Sequence, residues 1–136
     1  MNKTGKNYGA TSVGDIQAKG RVMLHHELAL TGSEISINEL PPGVSVPFVH
    51  SHKRNEEVYI VVKGKGRFYV DGDEFEVAEG SVIRVDSAGQ RCITADRESS
   101  IRYICIQAEA KSLAQFTEGD GVILETRPTW LQKAGA

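Results

Sequence analysis

An all-β fold, an antiparallel sandwich or barrel in one domain, is what the sequence predicts, and three observations predict it. Short runs rich in Val, Ile, Tyr and Phe recur at close spacing through residues 22–107, with turn residues between them. Asp71 and Gly72 separate the alternating runs 67–70 and 73–77, and Asp-Gly in that setting signals a hairpin because both turn residues must accept positive φ. The chain of 136 residues is long enough for one domain with a sizeable core and too short for two.

Taken in order, residues 1–19 show no sustained periodicity and read as a mobile arm, or one ordered only against a partner subunit, ended by Gly20. The run 22–28 reads as a strand, and so does 34–40, where Ile35 and Ile37 alternate with polar neighbours. Pro41, Pro42 and Gly43 break the chain before an apolar run that ends at His50. Residues 53–55 read as a turn, followed by the apolar run 58–62, which Gly64 and Gly66 end. Gly64, Lys65 and Gly66 read as a hairpin turn and not as a phosphate cradle, since no helix start follows them. Further strands are expected at 80–85 and 92–95, with 101–107 the last long one. Residues 108–116 contain helix formers and read as a short helix, broken at 119–121 before a final 122–124 segment. Trp130 is expected to bury against the β region or a second subunit. The organisation expected is an arm over residues 1–20, a β domain over 21–110 and an appendage over 111–136.

A formal net charge of −2, with no block of like charge, gives no electrostatic footprint for nucleic acid or an anionic membrane. The first fifteen residues lack the apolar stretch of a signal peptide, and no run approaches the length of a membrane span, so a cytoplasmic location is expected. Cys92 and Cys105 are the two cysteines and read as thiols, because a pair does not make a disulfide framework in a chain of this size. The partners expected are a small-molecule ligand or substrate and a second copy of the chain, dimerisation covering sheet edges that would otherwise stay exposed.

The chemistry concentrates in residues 43–66. His50 and His52 stand two apart at the end of an apolar run, so both imidazoles leave one face of a strand and can share a ligand. Glu56 and Glu57 open the next run and return a carboxylate to that pair. Two imidazoles and one carboxylate on adjacent strands suit non-haem Fe(II) and accommodate Mn, Ni, Cu or Zn, leaving positions open for substrate or water. The plainer alternative is two ordinary histidines near a strand end and a surface acid.

These residues resemble the first motif of the cupin superfamily, which runs glycine, His-x-His, glutamate and glycine at fixed spacings. After His50 and His52 come four residues and Glu57, and six residues later comes Gly64, as in that motif. Six residues separate Gly43 from His50 where the family has five, a difference confined to the loop before the first histidine. The resemblance selects Glu57 over Glu56 and implies a jelly-roll (double-stranded β-helix) barrel over residues 21–110. The family's second motif is recognisable but altered: Gly80 and Gly89 stand near their places, Asp86 replaces proline, Asp96 replaces asparagine, and Cys92 falls where the family has its fourth ligand, histidine. The metal set that this implies is His50, His52, Glu57 and Cys92. Cys92 is open to three readings: a thiolate ligand, which would favour zinc, an apolar filler, or the mark of a three-ligand site.

Substrate contacts are assigned by strand parity. Tyr59 shares parity with Glu57, and Tyr69 and Arg67 share parity on the neighbouring run, so each is a candidate to orient a substrate, Arg67 as an anion anchor. His25 and His26 are adjacent, so at most one could face inward to replace the missing family histidine, and a surface or interface position is the plainer reading of both. Tyr103 and Cys105 read as core or wall. The expected function is a metal-dependent enzyme of the dioxygenase, isomerase or decarboxylase type acting on a small polar metabolite. A non-catalytic small-molecule-binding or sensory module with a weak metal site, or none, is the alternative, motivated by the altered second motif.

Overall fold

The computed structural model describes residues 2–131. In chain order its elements are β1 (Asn2–Gly5), β2 (Tyr8–Thr11), α1 (Ile16–Lys19), β3 (Arg21–Met23), α2 (Leu24–Leu28), β4 (Glu34–Leu40), β5 (Asn55–Val70), β6 (Asp73–Ala78), β7 (Val82–Val85), β8 (Arg91–Ala95), β9 (Ile101–Glu109) and α3 (Thr117–Asp120). A 3-10 turn at Thr129–Leu131 follows. Every strand pairing is antiparallel. β3, β4, β9 and β5 lie side by side, and β1 with β2 forms a separate hairpin. No helix among the described residues is long and apolar enough to cross a membrane.

The long strand β5 joins two layers. Its first half pairs with β9 and β7, and its second half pairs with β6 and β8. The change of partner comes with a register shift between Val61 and Lys63. The hairpin turn expected at Gly64, Lys65 and Gly66 is therefore not formed; the strand continues through it. The glycines serve close approach instead. A Cβ on Gly64, which has φ +79°, would strike the Ser100 carbonyl, and one on Gly66 would strike the Thr94 carbonyl. The shift also changes parity, because a bulge adds one residue to one strand only. Glu57, Tyr59 and Val61 face the interior before it, and Gly66 and Phe68 face it afterwards. The core lies between the layers, where the Phe68 ring meets that of Tyr59 edge-on at 5.0 Å, with Val77, Ile93, Ile101 and Tyr103 around them.

Several expectations need correction. Residues 2–11 form the β1–β2 hairpin, and Asp15 caps α1 by accepting from the Ala18 amide. The run 22–28 bends after Met23 into α2, which places both His25 and His26 on an exposed helix. Residues 108–116 are not helical: β9 continues to Glu109 and an irregular segment follows. Residues 122–124 are irregular, and Trp130 is 81% exposed, so of its two expected places it does not take the one against the β region.

The polarity of β4 is inverted. Ser36 and Asn38 are buried toward the interior, while Ile35 and Ile37 are half-buried on the outer face. The outer face is apolar because register aligns Ile35 with Ile106 and Val58, and Ile37 with Ile104 and Ile60.

Candidate metal centre

Residues 43–52 run alongside β8 without forming a regular strand of their own. Val46 donates to the Ile93 carbonyl at 3.1 Å, and His50 and Arg91 exchange backbone hydrogen bonds at 3.1 and 3.0 Å. Opposed residues of an antiparallel pair point to one face, so His50 and Arg91 share the interior side. The His52 amide donates to the Ser87 carbonyl at 2.8 Å, which holds the second histidine on the same approach. Glu57 enters from β5, its position fixed by pairing with Gln107 on β9 and Val85 on β7.

These elements bring one ligand atom each from His50, His52 and Glu57 within 4.8 Å of one another. His52 Nε2 lies 3.1 Å from Glu57 Oε2, and His50 Nε2 lies 3.7 Å from Oε1. His52 Nε2 is buried and has no hydrogen-bond partner. A buried imidazole nitrogen with no hydrogen-bond partner, set beside a carboxylate, is what a coordinating cation would satisfy, so this donor set fits a divalent transition metal.

Glu57 is only 2% exposed and is held from several sides. Arg91 and the Tyr59 hydroxyl each donate to Oε1 at 2.8 Å, and the Cys105 thiol donates to Oε2 at 3.3 Å. Burial pushes the Glu57 carboxyl up, but the hydrogen bonds from Tyr59 and Cys105, with the charges of His52 and Arg91, bring it below the usual carboxylate range. Burial pushes both the Tyr59 phenol and the Cys105 thiol upward, helped by their neighbouring acids, so each remains a protonated donor at neutral pH. His50 is lowered, first by burial, with Glu57 opposing and Arg91 reinforcing.

A cavity of about 440 Å³ opens onto the cluster. Ser36, Asn38 and Gln107 give it hydrogen-bonding groups, Leu40, Val46 and Ile93 give it apolar walls, and Arg21 adds a cation.

The expected residues separate into those brought together and those kept apart. His50, His52 and Glu57 converge, and Tyr59 lines the same cavity. Cys92 also borders the cavity but stands outside the cluster. It pairs with Tyr69 on the face opposite Arg91 and Ile93, and its thiol donates to the Val46 carbonyl at 3.2 Å. Arg67 is exposed and Tyr69 half-buried, and neither lines this cavity, because the register shift in β5 turns their parity outward. His25 sits 3.9 Å from Glu34 on the outside of the molecule.

Arg91 and Arg21 were not singled out from the sequence. Arg91 had a signal: it shares parity with Ile93 and Ala95, an apolar face that points inward. Arg21 had none, since its place depends on the pairing of β3 with β4.

Known proteins share this family and fold. A family model described as a cupin domain matches residues 36–107. The crystal structure of a cupin protein from Bacteroides fragilis is 48% identical, with a TM-score of 0.83, over 88% of this chain and 98% of that one. An oxalate-binding protein from Thermotoga maritima is 28% identical over 68 residues, 50% of this chain and 55% of its own. The structure of a predicted oxalate decarboxylase from the same organism matches at 25% identity and a TM-score of 0.51, covering 55% of this chain and 64% of that one. With more than half of its length matched by the family model and a close relative along most of the chain, this protein belongs to the cupin superfamily.

Proposed function

We propose that this cupin is a metal-dependent enzyme acting on a small polar metabolite, with His50, His52 and Glu57 holding a divalent transition metal (Fe, Mn, Ni, Cu or Zn) on the wall of a jelly-roll barrel cavity. The observation that carries this reading is the buried, unpartnered Nε2 of His52, 3.1 Å from Glu57. When bound, such an ion supplies a Lewis acid with open positions for a substrate oxygen. The chain's own residues do the rest. Arg91, Tyr59 and Cys105 orient Glu57, while Leu40, Val46 and Ile93 keep water away from part of the cavity. Ser36, Asn38 and Gln107 offer hydrogen bonds to a bound molecule. Cys92 is read as outside the ligand set. The names of the two Thermotoga maritima relatives support a small organic acid as the type of ligand.

A second reading, a non-catalytic binding module, is favoured by one observation: Arg91 already neutralises Glu57 without any ion. Titrating chelator-treated protein with each of the five metals separates the two. One tight equivalent, absent in His52→Ala, supports the enzyme reading. A protein that takes no metal yet binds small molecules supports the module.

The dimer is also proposed, through a sheet face instead of the sheet edges. Ile35, Ile37, Val58, Ile60, Ile104 and Ile106 form two cross-strand rows on the outer side, all half-buried. Phe116, Ile123, Leu124 and Trp130 of the C-terminal segment are each more than 70% exposed, an apolar load suited to a second copy.

A further inference from the structure

Counting Arg91, which stands behind the cavity wall against Glu57, two arginines meet one carboxylate at this site among the described residues. Glu57 is the only carboxylate on the cavity wall among the described residues, and Arg91 already pairs with it. Arg21 is a second cation, and no ion pair forms at it among the described residues. Glu57 and Arg91 cancel, so Arg21 leaves the site net positive before any metal enters.

Its backbone position is built into the fold, and its side chain is exposed. Arg21 opens β3 directly after Gly20, whose φ of +74° turns the chain out of α1. Across the ladder it faces Asn38, a buried residue on the interior side of β4, so the Arg21 side chain leaves on that same side. It meets the cavity beside Ser36 and Asn38, where Asn38 Nδ2 donates to Ser36 Oγ at 2.9 Å. The guanidinium is near enough to Tyr103 and Cys105 to pull against the upward push that burial gives both.

We propose that Arg21 is the anion anchor of this cavity, and that the ligand is a small molecule with a terminal oxyanion group, a carboxylate or a phosphate monoester. This rests on the reading above that the cavity is the ligand site. The guanidinium fork pairs with two oxygens of such a group while keeping one edge in water. Leu40, Val46 and Ile93 then face the ligand's body, and its far end reaches His50 and His52. Arg67, the anion anchor the sequence offered if it faced inward, is replaced in this role by an arginine from a strand at the sheet edge.

The test uses the full chain, metal-free and Mn-loaded, titrated by calorimetry with butanoate, succinate and inorganic phosphate, and with butanamide as the neutral counterpart. At least one anion is expected to bind more tightly than the amide, and Arg21→Gln to weaken it on the order of tenfold, with Arg21→Lys between. Butanamide binding and metal content should not change in Arg21→Gln. Loss confined to the carboxylates identifies a carboxylate as the anchored group; loss confined to phosphate identifies a phosphate group. Anion affinities within about twofold of wild type in Arg21→Gln, or no preference for any anion over the amide, would overturn the proposal. Arg21-dependent anion binding in a protein that takes no metal would leave this proposal standing and remove the metal reading alone.

Discussion

Arg91, with no exposed surface, donates to Glu57 Oε1 at 2.8 Å and to the Asp86 carbonyl at 2.7 Å. One arginine thereby ties the candidate metal carboxylate to the loop before β8. A buried pair of this kind is costly to break from one side, because the remaining charge is stranded away from water. Arg91→Met should destabilise the metal-free protein by about 3–5 kcal/mol in urea denaturation. The double variant with Glu57→Gln should lose less than Arg91→Met alone. A double variant as unstable as the sum of the single ones would show that the pair is not coupled.

Tyr59 and Cys105 also hold that carboxylate. Tyr59→Phe removes a hydroxyl donor to a charged acceptor and should cost about 1.5–3 kcal/mol. Cys105→Ala also loses a donor to Glu57, but the weaker S–H makes its effect smaller. Equal stability of Tyr59→Phe and wild type would mean that the hydroxyl does not anchor Glu57.

The titrations at the centre give a pH dependence with a definite sign. His50 is lowered, by burial first, from the ordinary imidazole value of 6.5, and Glu57 is lowered from 4.5 because its hydrogen bonds and neighbouring charges outweigh burial. In both cases the unfolded chain binds more protons than the native one, so stability falls as pH falls. The His50 penalty begins as pH drops through its unfolded value, and the Glu57 contribution is lost lower down, through its depressed folded value. Denaturation midpoints of chelator-treated protein, measured from about pH 8 to about pH 4, should decline in that order. His50→Gln should flatten the upper limb, and an unchanged upper limb would contradict the assignment.

The outer sheet face gives an assembly prediction. Ile104 lies in the middle of the row joining Ile37 to Ile60, so Ile104→Asp should convert a dimer to a monomer in light scattering after gel filtration. A wild-type protein that is already monomeric would refute the proposed face.

The part of the site that lies close together in the sequence was legible there. His50 and His52 stand two apart and Glu57 follows one short turn later, so the trio could be read from local spacing, although pairing with Arg91 and Ser87 is what holds the two histidines in place. Cys92, Arg67 and Tyr69 depend on which strand lies alongside and in what register. Arg67 and Tyr69 were placed on a separate run after an expected turn at Gly64 to Gly66, whereas one strand continues through those glycines with a register shift between Val61 and Lys63. Ile35 and Ile37 misled differently. Apolar alternation marks one face of a strand without saying whether that face meets the core, and here the interior needs Ser36 and Asn38 for a polar cavity. The hairpin at Asp71 and Gly72, with φ of 50° and 93°, was legible because its conformation is local.

The measurement that bears most directly on the metal reading is elemental analysis of the purified protein beside His50→Ala, His52→Ala, Glu57→Ala and Cys92→Ser. The site described here predicts a near-stoichiometric divalent metal in wild type and in Cys92→Ser, and its loss in the other three. No metal in wild type even after reconstitution, or a loss in Cys92→Ser as large as in His52→Ala, would contradict it.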